Sequence, residues 1–399
     1  MKILQLCKKV PYPLKDGESV AIYTISKGLA ESGCEISLLS FNTSKHHVEW
    51  ENLPDELGHY KEIHKVYLDT GISYWSAFKN LWTNRSYNID RFVYEGFSSK
   101  LQKLLANNDF DIIQLEGLYM ASYISIVRKY STAKVIMRSH NIESEIWQNL
   151  AHKTKSTVKS WYYNLCANRM QNFESGIQGQ YDLLLPITHI DSKEYKKRNY
   201  LGDKYVVPVG LDSSKYTLTK NEFSHPIKIG YIGSLDWKPN IEGINWLLDH
   251  WNEIIQQFPN LEFHLAGRNA GQKYNLNLPQ FVMHGEVDDA IEFIKSLDIL
   301  LVPLFSGSGM RVKILEGMIL SKVVISTPKG FEGIEIEHNE NALCYENLEN
   351  LISCLHKCFN SPSLMEEMGI KARKFIIKEY ENKEISTRLL KRYQSLIKN

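Results

Sequence analysis

Long hydrophobic runs are missing from this 399-residue chain, and none approaches the roughly 20 residues that a membrane-spanning helix needs. It shows no secretory leader, so the compartment expected from the sequence is the cytoplasm. An excess of one charge is missing too. Lys and Arg number 47 against 46 Asp and Glu, a balance that leaves no electrostatic footprint for nucleic acid. The six cysteines (Cys7, Cys34, Cys166, Cys344, Cys354, Cys358) have no metal-ligand spacing. Cys354 and Cys358 fall on one face of a helical pattern and read as packing residues in a reducing compartment. The G-x-G-x-x-G fingerprint is absent from the first loop, PYPLKDGES, which counts against a nicotinamide enzyme. Short internal repeats are absent as well.

A hydrophobic fraction of 43% is ordinary for a globular chain, and the length favours two domains. Short apolar runs alternate with helical patterns. Lys2–Leu6, Glu35–Phe41, Asp111–Leu115, Lys134–Arg138, Leu183–Ile187 and Tyr205–Val207 read as strands, and Ser19–Ser32 reads as a helix stopped by Gly33. The pattern restarts with strands Lys228–Ile232, Leu261–Ala266 and Phe281–His284, and helices Asn240–Phe258 and Asp288–Leu297. Such alternation predicts an α/β fold of two doubly wound, Rossmann-like domains. The predicted boundaries are 1–212 for an N-terminal domain, 213–226 for a linker, 227–375 for a second domain and 376–399 for a C-terminal helix.

The most informative stretch is Val302–Thr327, VPLFSGSGMRVKILEGMILSKVVIST. A buried strand opens into a Ser/Gly loop, then into a helix carrying Arg311, Lys313 and Glu316, then into a second apolar run. Gly lets an anion approach the backbone, free N–H groups at the helix start face it, and the two cations add formal charge. A carboxylate deeper in the helix suits a ribose diol. The set fits a nucleoside diphosphate, although an ordinary loop and helix would use the same residue types.

This stretch resembles the donor motif of the retaining glycosyltransferases of family 4, which have the two-domain GT-B fold. Glu316-Gly317-Met318 matches the second half of their two-glutamate signature, and Ser308 stands where the first glutamate falls. The chain is thus similar to the branch with a GSGxRxKxLE motif, found among bacterial cell-surface polysaccharide enzymes. The resemblance implies a cleft between the domains, a nucleotide-sugar co-substrate in place of a cofactor, and a C-terminal helix that returns to the first domain. It also implies metal independence, and no DxD-type carboxylate pair is evident near the segments concerned. Ser308 and Gly309 would then contact the donor sugar.

Other residues follow from the same resemblance. Gly17 lets a helix start approach the donor diphosphate, or serves only as a turn residue. In Arg138-Ser-His140-Asn-Ile-Glu143, His140 matches a histidine near the sugar and its leaving phosphate, and Asn141 and Glu143 would meet acceptor hydroxyls or fix a helix start. Gly233 opens the second domain, where the family's phosphate-gripping Arg and Lys are replaced by Ser234 and Pro239. Arg311 and Lys313, with Lys238, are expected to supply that charge. Gly267, Arg268, Gly285 and Val287 match segments around the diphosphate and the base, with Arg268 equally able to pair elsewhere. No covalent nucleophile stands out, so same-face attack assisted by the leaving phosphate is the expected mechanism.

The expected function is transfer of a sugar from a nucleotide-sugar donor to a hydroxyl of a growing glycan, cell-surface or lipid-linked. Two other readings stand beside it. A sugar-nucleotide epimerase or hydrolase would need an acid/base pair, with Glu116, Glu143 and Asp236 the loose candidates. A non-catalytic nucleotide-sugar-binding subunit would fit the replaced clamp. Lys153, Lys155, Lys159 and Trp161-Tyr-Tyr163 either dock on anionic lipid at the inner face of the membrane or form a solvated helix face over buried rings. The aromatic region Tyr74–Phe97 either lines an acceptor groove or packs in a core. Oligomeric state is left open.

Overall fold

The computed structural model describes every residue except 72–79, 81, 84, 219–225, 275–277, 308 and 399. The chain divides into two compact units, Met1–Gly210 with Asn382–Asn399, and Leu211–Glu381. Each contains a six-stranded sheet in which every registered pair is parallel.

In the first unit the strands are β1 (Lys2–Cys7), β2 (Glu35–Thr43), β3 (Glu62–Leu68), β4 (Ile112–Glu116), β5 (Lys134–Ser139) and β6 (Leu183–Pro186). They lie in the order β3-β2-β1-β4-β5-β6. Except for β3, these strands are almost continuously buried, as parallel strands covered on both faces must be. The side chains alternate between two cores. Leu4, Leu6, Leu39 and Leu115 enter one, while Ile3, Ile36, Leu38 and Ile112 enter the other. The second core is completed by Ile385, Leu389 and Tyr393 from the helix Asn382–Lys398. That helix crosses the helix Gly17–Glu31 so closely that a Cβ on Gly28 would lie 2.0 Å from Ser386 Oγ. Asn382 Nδ2 also donates to the Thr24 carbonyl at 2.8 Å.

The second unit holds β7 (Ile227–Ile232), β8 (Leu261–Ala266), β9 (Phe281–Gly285), β10 (Ile299–Val302), β11 (Val323–Ser326) and β12 (Leu343–Cys344). Their order is β12-β11-β10-β7-β8-β9, and one continuous core surrounds them. The helix Pro362–Tyr380 belongs here, with Met365, Met368, Ala372 and Ile376 in the core.

The α/β expectation of two doubly wound sheets holds, with local differences. β3 is not among the predicted strands. Its sequence, EIHKVYL, is broken by Glu62, His64 and Lys65 and lies at a sheet edge, where only Leu68 is buried. Tyr205–Val207 is extended backbone rather than a strand. Tyr205 N–H donates to Leu184 O at 2.9 Å, and Val207 N–H donates to Pro186 O at 2.9 Å. The predicted Asn240–Phe258 helix is two helices, Lys238–Asp249 and Trp251–Gln257, parted at His250. The division between the units falls after Gly210 and after Glu381 rather than at 212 and 376, because Leu211, Ile376 and Tyr380 are buried in the core of the second unit. Of the Tyr74–Phe97 region, residues 74–79, 81 and 84 lie outside the described residues. Phe97 is a core residue stacked on Phe41 at 4.3 Å between centroids, and Phe92 meets Phe41 at 5.9 Å.

Candidate functional site

Open parallel sheets bind ligands at the carboxyl ends of the strands where the strand order reverses. In the second unit that reversal lies between β7 and β10. The loop after β10 turns through Gly307 (φ +93°) and Gly309 (φ +86°), left-handed conformations that favour glycine. A side chain at Gly307 would also meet the Trp237 ring at 2.9 Å. The loop ends at Arg311, the N-cap of the helix Val312–Ile319. The guanidinium of Arg311 donates to the Gly309 carbonyl and lies 5.5 Å from the Trp237 ring centroid.

Lys313 turns toward β7. Its Nζ donates to Tyr231 Oη at 2.9 Å and lies 4.2 Å from the centroid of that ring. A Cβ on Gly233 would come within 2.4 Å of this Nζ, so the glycine leaves room for the ammonium at the strand end. Burial pushes the Lys313 ammonium down to about 7, with repulsion from Arg311 adding to it and Glu316 opposing it. Glu316 follows three residues later on the same face. Burial raises its carboxyl above the ordinary range, against a hydrogen bond from Tyr216 Oη at 3.4 Å and the charge of Lys313.

The floor beside these groups is backbone. Gly267 (φ +135°) approaches so closely that a Cβ there would lie 2.0 Å from Gly233 O. Gly267 N–H donates to Gly285 O at 2.7 Å, and Gly233 N–H donates to Ala266 O at 3.0 Å. The structure therefore brings Gly233, Gly267, Gly285, Arg311, Lys313 and Glu316 to one end of the sheet. Ser234 and Arg268 form a separate surface group with Asp236. Arg268 pairs with Asp236 at 3.1 Å and donates from Nε to Ser234 Oγ at 3.2 Å, while Ser234 Oγ donates to Asp236. Lys238 is exposed at the first turn of its helix, and Val287 is half-buried two residues past Gly285. Ser308 lies outside the described residues.

In the first unit the order reverses between β1 and β4. The loop after β1 carries Lys8 and Lys9 to the start of the helix Gly17–Glu31, which Asp16 caps by accepting from Ser19 N–H at 3.0 Å. Gly17 opens that helix with clear space around its Cα. Lys8 pairs with Glu18 at 3.2 Å, and Lys9 pairs with Asp16 at 2.6 Å. Beyond β4, the Tyr119 ring lies 4.7 Å from Lys8 Nζ, and its hydroxyl donates to Glu143 Oε2 at 3.0 Å. Burial raises the Glu143 carboxyl despite Lys8 and Tyr119. Burial would also raise Glu18, but Lys8, His140 and Lys9 outweigh it and hold the carboxylate low.

His140 follows β5, is 7% exposed and bonds through Nε2 to Glu116 Oε2 at 2.8 Å. Arg138, wholly buried, places Nη1 3.7 Å from the same oxygen and donates from it to Ala21 O at 2.8 Å. Asn141 is half-buried, and its carbonyl accepts from Ser139 Oγ at 3.0 Å. The residues that sequence reasoning missed here are Lys8, Glu18 and Tyr119, and in the second unit Tyr216 and Tyr231. Lysines directly after the first strand are their one local signal.

Among the described residues, no group of three or more His, Cys, Asp or Glu is arranged to hold a metal ion. No described helix is long and apolar enough to cross a membrane. Lys153, Lys155, Val158, Lys159 and Trp161 are all exposed.

Residues 226–361 match the family model described as Glycosyl transferases group 1. The chain is 21% identical to an uncharacterized 44.6 kDa protein in the cps region of Klebsiella pneumoniae, over 98% of this chain and 99% of that one. Its fold is similar to sucrose-phosphate synthase from Thermosynechococcus elongatus, with a TM-score of 0.73, 13% identity and 99% of each chain covered. It is also similar to HepE of Anabaena solved with UDP-glucose, with a TM-score of 0.66, 14% identity and coverage of 99% and 100%. The fold is thus the two-domain GT-B fold, and the similarity to glycosyltransferase sequences lies in residues 226–361.

Proposed function

We propose that this protein is a retaining, metal-independent glycosyltransferase that moves a sugar from a nucleoside-diphosphate donor to a hydroxyl of a growing cell-surface or lipid-linked glycan. The seat of Lys313 supports this reading most directly. Its ammonium lies against Gly233 at the end of β7, in the segment where Ser234 and Pro239 replace the cations expected of a phosphate clamp. Arg311 and Lys313 grip the diphosphate, and their charge is worth more in a desolvated site, where developing negative charge is poorly screened. Glu316 accepts from the ribose diol. The backbone at Gly233, Gly267 and Gly285 admits the nucleotide closely, and Gly285 to Val287 read the base edge. Ser308 and Gly309 contact the donor sugar.

In this reading the first unit contributes Gly17 and its helix start to the diphosphate, His140 to the sugar–phosphate region, and Asn141 with Glu143 to the acceptor. The acceptor oxygen bonds to the anomeric carbon as the bond to the donor phosphate oxygen breaks. The hydroxyl proton passes to that phosphate oxygen on the same face, so configuration is kept. The cps-region relative and the neighbour solved with UDP-glucose support a polysaccharide product and a uridine donor. The exposed lysines around Trp161 suit a peripheral contact with anionic lipid.

Saturation-transfer NMR against UDP-, GDP-, ADP- and TDP-sugars without added metal tests the donor site. One nucleotide class should bind, and Glu316→Ala should weaken it by about 10- to 100-fold, the loss of a charged hydrogen-bond partner. Absence of binding to every donor at millimolar concentration would overturn the reading.

A further inference from the structure

Glu116 ends β4 directly opposite Arg138 of β5 and is wholly buried. Its two oxygens face different partners. Oε1 accepts from Gln5 Nε2 at 2.9 Å and from Gln114 Nε2, while Oε2 meets His140 Nε2 at 2.8 Å. The far ends of both amides are tied down as well. Tyr60 Oη donates to Gln5 Oε1 at 2.9 Å, and Tyr393 Oη donates to Gln114 Oε1 at 2.6 Å. Burial favours the neutral acid at Glu116, but Arg138, His140 and Gln114 outweigh it and hold the carboxyl below the usual range. A carboxylate only accepts hydrogen bonds. Both glutamines must therefore turn their NH2 groups toward it, and His140 must carry its proton on Nε2. The other ring nitrogen, Nδ1, is buried and has no hydrogen-bond partner among the described residues. Gly117 (φ +93°) closes the opposite edge of the ring, where a Cβ would lie 4.0 Å from His140 Cδ2.

We propose that Glu116 is a positioning residue: its bond to Nε2 keeps a proton on that nitrogen of His140, so that Nδ1 is the nitrogen that meets the substrate. This rests on His140 acting in the transfer, as read above. The neutral ring then offers a lone pair at Nδ1, suited to a sugar hydroxyl. After taking up a proton it offers an N–H there, suited to a phosphate oxygen, while Glu116 balances the charge. The glutamines and tyrosines behind Glu116 fix which of its oxygens serves the histidine.

An isosteric change tests this. In Glu116→Gln the side-chain carbonyl remains where two amide donors converge, so the new NH2 must face His140 and donate to Nε2. The ring is then forced into the Nδ1–H tautomer. Ring nitrogen correlation spectra of the full-length, histidine-labelled protein, assigned by the peak that His140→Gln removes, read the tautomer directly. The expected result is Nε2–H in the wild type and Nδ1–H in Glu116→Gln. Turnover should fall by about 100-fold or more, donor binding by saturation transfer should be unchanged, and Glu116→Asp should restore part of the rate. A wild-type Nδ1–H ring overturns the proposal, and an unchanged tautomer in Glu116→Gln overturns it as well. A switched tautomer with unchanged turnover leaves the lock standing but sinks the role of His140 and with it the functional half of the proposal.

Discussion

Each unit gathers ionisable side chains where its strand order reverses, yet the two groups behave oppositely. In the first, Glu116 stays charged although wholly buried, because three hydrogen-bond donors and a guanidinium surround it. In the second, burial prevails: Lys313 drops to about 7 and the Glu316 carboxyl rises. Lys313 donates to a phenol oxygen, and the nearby guanidinium repels it. A buried carboxylate bonded at both oxygens holds its neighbours in place. Cations pressed together in a poorly solvated pocket gain most from meeting an anion. The first unit is thus arranged to position, and the second to receive.

Removing a cation from each unit should therefore give opposite results. Arg138→Ala strips the counter-charge from Glu116 and should destabilise the chain by about 3–5 kcal/mol in urea unfolding. A loss below about 1 kcal/mol would mean that the first network is not as tightly coupled as its geometry suggests. His140→Ala should lower kcat by about 10²- to 10⁴-fold, the usual span for a proton-transfer group, while donor affinity is kept. A parallel fall in donor affinity would make the histidine a binding group instead.

Lys313→Met should weaken donor binding by about tenfold, which is about 1.4 kcal/mol, yet leave stability at neutral pH unchanged or higher, because a buried cation is gone. The pH dependence sharpens this. Between about 7 and the ordinary 10.5, the unfolded chain holds a proton on Lys313 that the folded chain has released. Stability contributed by this group therefore rises with pH across that window, and below pH 7 the full penalty applies. Donor affinity should run the other way, falling above pH 7 as the ammonium is lost. Calorimetric titration of wild type and Lys313→Met across that window reads both slopes, and the variant should flatten them. The smallest effect expected is at the exposed face around Trp161. Changing Lys153, Lys155 and Lys159 to Gln should reduce cosedimentation with anionic vesicles without altering turnover on a soluble acceptor, and equal sedimentation would assign those lysines to solvation alone.

The strands that were legible in the sequence are those whose sequences admit one reading. β1, β4 and β5 are short apolar runs bounded by polar residues, and their burial follows from that. β3 was not legible because an edge strand needs little apolar surface, and His64 and Lys65 hide its period. Arg311, Lys313 and Glu316 stand close together in one helix start, so their helical spacing could be read directly. Glu116 could not be read in this way. Its partners Gln5, Gln114, Arg138 and His140, with Tyr60 and Tyr393 behind them, come from distant parts of the chain, and only the sheet order brings them together. Tyr216 falls in the expected linker, but it is buried in the core of the second unit and donates to Glu316.

The helix Asn382–Lys398 gives this fold a timetable. On a ribosome, residues 1–210 emerge before the second unit, yet one core of their own unit lacks Ile385, Leu389 and Tyr393 until that second unit has been translated. The intervening unit, Leu211–Glu381, is contiguous and can close while the earlier half still waits. Tyr393 also supplies the hydroxyl that orients Gln114 toward Glu116. A nascent chain should therefore close its second unit before His140 is set, because the network behind Glu116 is complete only once the helix Asn382–Lys398 has docked.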